Sequence, residues 1–446
     1  MTNDMTQGRM LPILVKFTIP LVLGNLLQLT YNAVDGIVVG RYVGKEALAA
    51  VGTSNPLLTL VILFVQGICL GAGILVGTLY GAKDYKTLKR EVSTAMISGV
   101  VFSLALTAVC LTTAPALLKI LQVDVTIRQE AAAYLRIITC GLVFNFIYNF
   151  FASTLRAMGD SKSPLYFLGI SALINIVGDF IFVVFFSMGT TGCAVSTVLS
   201  EALSCLLCWV YIRKQIPLLN LGKQWLYFDR ALFKQIIGYG FTSAMQQSTV
   251  QLGKIGIQGI VNTMGVTATA AFTAINRIDD YAYIPEQNIG HAMTSVMAQN
   301  RGAGETKRVR TAFRVGMYIE LVYGAVMGIF LLLFANPVMR LFTHDEATII
   351  QGEAYLHLIA IMYIVPAVTN GIQGYFRGMG DLKITLWSSL INMGVRVITC
   401  ILLVFTCKMG ITALPWAYLA GWAAMMLYEL PFLIVRPRAG KNGAAL

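Results

Sequence analysis

The sequence predicts an all-α polytopic membrane protein whose twelve transmembrane helices form two six-helix bundles, each a copy of one unit. Three observations predict this class. Of the 446 residues, 57% are hydrophobic and only 12% are charged, whereas soluble domains carry about 25% charged residues. Apolar stretches of roughly 20 residues or more recur from end to end. Identical residues also return at one constant offset along the chain.

Each of twelve apolar segments is long enough to cross a hydrocarbon core about 30 Å thick as a helix. The predicted spans are 11–37, 47–79, 91–118, 132–156, 164–187, 190–212, 233–262, 268–299, 311–336, 351–376, 383–407 and 411–434. Several exceed the minimal length, so we expect tilted or bent helices.

The two halves of the chain are related by an offset of 221 residues. The offset equates Asn55 with Asn276 and continues to Asp160 and Asp381. Such a repeat means two copies of one unit, and a duplicated bundle of membrane helices is typical of secondary transporters. We expect an N-terminal lobe over 1–214 with spans 1–6, a cytoplasmic linker over 215–230, and a C-terminal lobe over 231–446 with spans 7–12.

The Lys and Arg residues behind the net charge of +12 are distributed unevenly among the connectors, and this distribution indicates how the protein is oriented in the membrane. Alternate connectors hold 23 of the 33 Lys and Arg residues, and the opposite connectors hold seven. The excess of positive charge on one side predicts that both termini are cytoplasmic, so the repeat is parallel. The seven residues on the other side are Arg41, Lys45, Lys119, Arg128, Arg136, Arg340 and Lys408. We therefore expect a multi-pass protein of the bacterial cytoplasmic membrane, without a nucleic-acid partner.

Polar side chains form stripes on spans of the first half. Asn32 and Asp35 lie on one face of span one, and Asn175 and Asp179 lie on one face of span five. A carboxylate in a membrane helix costs about 2.5–3.5 kcal/mol unless it is neutral, paired or hydrated. Further polar groups on spans four and six are Asn145, Asn149, Thr197 and Glu201.

These groups predict a pocket that holds a proton or a hard cation such as Na⁺ at Asp35 and Asp179, because two acids in a low dielectric do not both stay ionised without a counter-charge. The alternative is structural, since Asn and Gln also join membrane helices by hydrogen bonds.

The second half carries both bases and acids in its spans. A substrate site and a structural ion-pair network both fit this composition. The candidate residues are Gln247, Gln251 and Lys254 on span seven, Asn276, Arg277, Asp280, Glu286 and Gln287 on span eight, and Arg396 on span eleven. The offset of 221 equates Asp179 with Cys400, whereas a local shift of four residues would equate it with Arg396.

The sequence does not predict an enzyme. It has no Walker pattern and no Gly-rich phosphate loop after a strand, so ATP is not the evident energy source. We expect no cofactor beyond a coupling ion, Na⁺ or H⁺.

The chain resembles the MATE family, the multidrug and toxic compound extrusion transporters. The resemblance rests on the order of four motifs together with the repeat, at 34–41 (Val-Asp-Gly-x-x-Val-Gly-Arg), 44–50, 156–160 and 174–179. It implies two bundles that rock between outward and inward openings and export amphipathic, often cationic compounds in exchange for Na⁺ or H⁺.

The first-lobe pattern is similar to that of DinF-like and archaeal members. That resemblance implies an ion site at Asp35, Asn149, Asn175, Asp179 and Thr197, with Tyr134 nearby, and a bending point at Pro20 in span one. NorM-like members also use acids on spans seven and ten, where this chain has Gln, Lys and Asn.

The leading hypothesis is therefore a secondary active multidrug efflux antiporter that works by alternating access. Tyr31 could help to hold a flat cationic substrate. The partners would be small amphipathic or cationic compounds and membrane lipid, and we expect a monomer. The alternative from the same superfamily is a flippase for a lipid-linked carrier, which would need a cationic cavity. A receptor or scaffold is a third reading, but a scaffold need not bury acids.

Overall fold

The computed structural model describes residues 4–120, 122–220 and 222–435. This part of the chain is almost entirely helical and holds fourteen α-helices. They are α1 (Met10–Tyr42), α2 (Lys45–Gly81), α3 (Tyr85–Ile120), α4 (Val125–Cys140), α5 (Leu142–Ala157), α6 (Lys162–Asp179), α7 (Gly189–Gln215), α8 (Arg230–Asn262), α9 (Val266–Gly302), α10 (Thr306–Arg340), α11 (Glu346–Met362), α12 (Ile364–Gly378), α13 (Leu382–Ile401) and α14 (Ala413–Val435).

Twelve spans account for these helices, which confirms the predicted fold class. Eight helices in the described residues are long and apolar enough to cross a membrane singly. Two further spans are bent pairs: α4 with α5, at 43°, and α11 with α12, at 51°. The last two, α8 and α9, are 33 and 37 residues long and carry the polar residues predicted for spans seven and eight. The protein is therefore a multi-pass membrane protein.

Two π-helical turns occupy matching places in the repeat. The first covers Phe180–Phe185, directly after α6, and the second covers Leu402–Thr406, directly after α13. Each wider turn ends a span, and π turns often mark functional sites. Asp179 is the last residue of α6, and Cys400 lies in the last turn of α13, so the structure equates Cys400, rather than Arg396, with Asp179.

The chain divides into two compact units. The first is built mainly from Ile19–Ala244 and the second from Thr6–Thr18 together with the chain from Met245 onward. The predicted linker 215–230 holds two 3₁₀ turns, Pro217–Leu219 and Gly222–Leu226, which pack on α3. The lobe limits 1–214 and 231–446 stay a prediction, and residues 436–446 lie outside the described part of the chain.

Each unit has its own apolar core. In the first, Phe146, Phe150 and Phe151 of α5 are buried against α2, α3 and α7. In the second, Tyr355 of α11 is fully buried and packs edge-on against Phe272 of α9. These cores fix the helices that carry the polar residues described next.

Candidate functional site

The first unit brings together the two membrane carboxyls singled out in the sequence. One ligand atom each from Asp35 on α1, Asp179 on α6 and Cys193 on α7 lies within 4.8 Å of the others. Asp179 and Cys193 are buried, whereas Asp35 is partly exposed. Three helices therefore converge on one small acidic centre, which we call the acid pair cluster.

Close packing of α6 on α7 places Asp179 in this cluster. A Cβ on Gly178 would lie 2.5 Å from Ser196 Oγ and 3.3 Å from Ser196 Cβ, so any larger residue here would displace the Ser196 side chain. Ser196 Oγ then donates to the carbonyl oxygen of Asn175 at 2.8 Å. Asn175 Nδ2 in turn donates to Ser196 Oγ at 3.3 Å and to Thr197 Oγ1 at 3.5 Å.

The carboxyl groups of Asp35 and Asp179 lie close together, with one oxygen of each within 4.8 Å of the other. Two acids this close in a low dielectric do not both stay ionised without a counter-charge, so a proton or a cation has to compensate one of them. The arrangement can exchange that proton for a cation, because the second negative charge would otherwise have no compensation in a low dielectric.

The donor atoms in the cluster suit a hard cation. Three oxygen atoms in the cluster are buried and have no hydrogen-bond partner among the described residues, namely the Oδ1 atoms of Asp35, Asp179 and Asn175. Carboxylate and amide oxygens are the ligands that hard cations prefer. Cys193 Sγ lies 4.0 Å from Asp179 Oδ2, so a neutral thiol completes the lining. These residues fit either a proton or Na⁺.

Asn149 lies in a neighbouring hydrogen-bond chain. Its Nδ2 donates to the carbonyl oxygen of Asn145 at 2.9 Å and to Asn145 Oδ1 at 3.1 Å, and Asn145 Nδ2 donates to Glu201 Oε1 at 2.7 Å. Asn149 and Glu201 are therefore joined through Asn145, by hydrogen bonds within α5 and between α5 and α7.

The remaining first-lobe predictions lie around these groups. Tyr134 of α4 is buried in an apolar cluster with Leu58 and Ile138. Asn32 is exposed on α1, and Pro20 is buried inside α1, which continues as a helix through it. Sequence reasoning did not single out Cys193 or Ser196, because small residues at these positions are also what close helix packing requires.

The basic residues predicted in the second unit are exposed or already contact an acid or aromatic rings. Lys254 Nζ lies 3.8 Å from Asp280 Oδ1, in a partly exposed pair. The Arg396 guanidinium lies 4.1 Å from the centre of the Tyr418 ring and 5.2 Å from that of Trp422. The other polar residues predicted on α8 and α9 are exposed or half-buried, namely Gln247, Gln251, Asn276, Arg277 and Gln287.

Glu286 is fully buried in the second unit. Asn370 Nδ2 donates to its Oε2 at 3.3 Å, and the Tyr283 hydroxyl donates to Asn370 Oδ1 at 3.0 Å. Glu320 of α10 is also fully buried and interacts with the charges of Glu286 and Arg377.

Glu429 of α14 is a third fully buried carboxyl of the second unit. Gln373 Nε2 donates to its Oε1 at 2.6 Å, and Gln246 Nε2 donates to Gln373 Oε1 at 2.7 Å. The sequence pattern gives no signal for Glu320 or Glu429, since each is a single acid on its span without a second acid at helical spacing.

Comparison with known proteins agrees with these observations. The MatE family profile matches residues 20–181 and 243–402, one segment in each half of the chain. Two curated proteins of Bacillus subtilis are similar: probable multidrug resistance protein YoeA, 29% identical over 92% of this chain and 90% of its own length, and probable multidrug resistance protein YpnP, 30% identical over 88% of each. A crystal structure of MATE in the bent conformation shares the fold, with a TM-score of 0.93 over 100% of both chains at 22% identity.

Proposed function

The chain belongs to the MatE family, and on that premise we propose that it is a secondary active multidrug exporter driven by ion exchange at the acid pair cluster. The relatives YoeA and YpnP are both named as probable multidrug resistance proteins. The observation that carries the coupling proposal is the close approach of the Asp35 and Asp179 carboxyl groups, which can take up one positive ion from the outside.

Uptake of an ion changes the electrostatics of three helices at once. With one proton or Na⁺ bound, the centre shared by α1, α6 and α7 carries a single negative charge, whereas without it the two carboxylates repel each other. Asp35 stands on α1, where Pro20 leaves a backbone carbonyl without its usual amide donor and permits bending. We infer that loss of the ion displaces α1 about Pro20 and so alters the cavity that holds the substrate.

The driving force is adequate for export. Moving one charge across the membrane potential yields about 2.3 kcal/mol per 100 mV, and a concentration gradient of the ion adds to this. Exchange of one or two ions for each molecule of an amphipathic cation therefore sustains useful efflux. We place both termini in the cytoplasm and the protein in the bacterial cytoplasmic membrane, on the distribution of Lys and Arg among the connectors.

The flippase alternative is not favoured. It needs free cations to hold phosphates, but Arg396 is stacked on aromatic rings and Lys254 is paired with Asp280. The names of the relatives also concern drug resistance rather than lipid carriers.

The test is efflux of an ethidium-like dye from proteoliposomes under an imposed Na⁺ gradient and, separately, an imposed pH gradient. We expect one gradient to drive transport in the unaltered protein, and we expect Asp35→Asn and Asp179→Asn each to lower ion-driven transport at least tenfold. Glu46→Gln, which alters an exposed acid at the start of α2, is the matched control and should leave transport unchanged.

A binding measurement separates coupling from folding. The unfolding temperature of the purified protein should rise with Na⁺ concentration or vary with pH, because a ligand that binds only the folded state stabilises it. In Asp35→Asn and Asp179→Asn that response should be lost while the protein stays folded. Unaltered ion-dependent transport and stability in both variants would falsify the coupling site.

A further inference from the structure

A second polar site lies in the first unit, at the start of α3. Tyr85, Lys86, Lys89 and Arg90 of α3, together with Tyr227 of the segment before α8, line a pocket of about 410 Å³. Three of its five lining side chains are cationic, and none is acidic. The pocket therefore offers a concentrated positive charge beside two aromatic rings.

Side-chain and backbone contacts build this pocket. The Arg90 guanidinium lies 4.9 Å from the centre of the Tyr227 ring, so the aromatic face holds one of the three cations in place. Ser93 Oγ donates to the carbonyl oxygen of Tyr227 at 2.7 Å, and the Asp229 backbone N–H donates to Thr94 Oγ1 at 3.0 Å. The segment before α8 is thereby fixed on α3.

Three acids lie near the pocket residues in sequence: Glu91, next to Arg90, is fully buried inside α3, whereas Asp84 and Asp229 cap helices. Asp84 Oδ1 accepts a hydrogen bond from the Thr87 backbone N–H at 3.1 Å. Hydrogen bonds from the side chain and the backbone of Thr87 lower the pKa of Asp84 below its usual value. Asp229 Oδ1 accepts from the backbone N–H groups of Ala231 and Leu232. None of these three acids is among the residues that line the pocket, so the charged side chains of the lining are all positive.

The position of the pocket indicates its ligand. Residues Tyr85–Lys119 of α3 form an apolar span, and Tyr85 to Arg90 are its first residues, where a span leaves the hydrocarbon. Tyr and Lys or Arg at such a position meet lipid head groups, and basic pockets at the cytoplasmic ends of spans bind anionic ones. We propose that this pocket binds a phosphate-bearing group at the membrane surface, held by Lys86, Lys89 and Arg90.

The repeat supplies an internal control. The offset of 221 equates Lys86 with Lys307 and Lys89 with Arg310 at the start of α10. Arg90 corresponds to Thr311, however, and Tyr85 corresponds to Thr306. The start of α10 thus repeats two of the charges at matching positions, but it has threonine where the pocket has Arg90 and Tyr85.

The experiment measures lipid binding to the full-length protein in detergent by native mass spectrometry. The probes are phosphatidylglycerol and, as the neutral lipid, phosphatidylcholine. We expect phosphatidylglycerol to bind preferentially, and we expect K86Q/K89Q to weaken its binding roughly thirtyfold, since each basic residue near a membrane surface contributes about 1 kcal/mol. The matched variant K307Q/R310Q should have no more than a twofold effect.

Two further measurements complete the test. Tyr227→Leu keeps every charge but removes the ring against Arg90, and it should weaken phosphatidylglycerol binding severalfold. Competition by inorganic phosphate or glycerol 3-phosphate at millimolar concentration would identify a soluble phosphate as the ligand, whereas no competition would identify the lipid. The proposal is overturned if K86Q/K89Q and K307Q/R310Q lose phosphatidylglycerol binding equally. It is also overturned if phosphatidylcholine binds as tightly as phosphatidylglycerol and the soluble phosphates do not bind.

Discussion

Individual carboxyl groups carry most of the chemistry that we propose for this protein. The sequence predicted that Asp35 and Asp179 share one pocket, because each lies on a polar helix face that is costly to bury without a partner. The structure brings both into one cluster. It also adds Cys193, which no sequence pattern distinguishes, since a thiol in an apolar helix has no spacing that separates a pocket wall from a core.

The N-caps of α4 and α11 lead to a prediction about pH. Hydrogen bonds from the backbone and side chain of Thr126 lower the pKa of Asp124, and those from the side chain and backbone of Thr348 lower the pKa of Asp345. A lowered pKa in the folded state means stability that is present above the usual Asp value near pH 4 and is lost as the pH falls through the folded value.

We expect the unfolding temperature of the purified protein to fall as the pH drops below the usual Asp value near pH 4, and the double variant D124N/D345N to show a shallower fall. Asn keeps the capping geometry but does not titrate. The measurement is a series of thermal unfolding curves from pH 7 downward, with D280N as a control for the loss of one charge in another place. Identical pH profiles for the capping variant and the unaltered protein would contradict the role of the caps.

At the scale of the helices, hydropathy predicted where the spans lie but not how they bend. The sequence predicts one continuous span over 132–156 and another over 351–376. In the structure the first is broken at Gly141 and the second at Tyr363. The apolar content of a segment reports whether it crosses the membrane, whereas its direction is set by packing. A Cβ on Gly141 would lie 2.8 Å from a methyl carbon of Val198, so a contact with α7 requires glycine at the first break.

Helix packing in the second unit leads to a second prediction. A Cβ on Gly374 of α12 would lie 2.7 Å from the carbonyl oxygen of Gly290 on α9. The backbone of α9 cannot move aside as a flexible side chain can. We therefore expect Gly374→Ala to force α9 and α12 apart and to lower the free energy of unfolding by about 1–3 kcal/mol. The unfolding temperature in detergent should drop by several degrees.

Gly394→Ala is the matched control for this substitution. Gly394 lies inside α13, and a Cβ there meets nothing within 4 Å. Alanine favours a helix over glycine by up to about 1 kcal/mol, so this variant should unfold at the same temperature as the unaltered protein or slightly above it. Equal destabilisation by both substitutions would refute the contact between α9 and α12.

For the molecule as a whole, the repeat and the charge distribution predict orientation, which leads to a third prediction. Cys407 is exposed in the connector between the second π turn and α14, next to Lys408, one of the seven basic residues assigned to the outer side. A membrane-impermeant maleimide added to intact cells should therefore label Cys407.

The labelling needs two controls. The variant Cys407→Ser should lose the label, and Lys307→Cys in that background should react only after the membrane is permeabilised, because the start of α10 is predicted to be cytoplasmic. Labelling of Lys307→Cys in intact cells, with no labelling of Cys407, would reverse the orientation that we propose.

The repeat explains why the sequence predicted the first unit more fully than the second. In the first unit, two acids stand out against apolar helices. In the second, Glu286, Glu320 and Glu429 lie on three different helices, and the partners of Glu286 and Glu429 are Asn370 and Gln373 on a fourth helix, α12. A single polar residue on a span has no periodicity, so its partners become visible only when the helices are packed.

Cys400 occupies in one half the place that Asp179 occupies in the other, and this difference has an evolutionary consequence. The two halves share one scaffold, but only the first carries an acid at this position beside its π turn. Substitutions that reshape the polar interior of the second half leave Asp35 and Asp179 as they are. We therefore expect descendants of this chain to change the range of compounds that they handle more readily than the ion for which we propose this site.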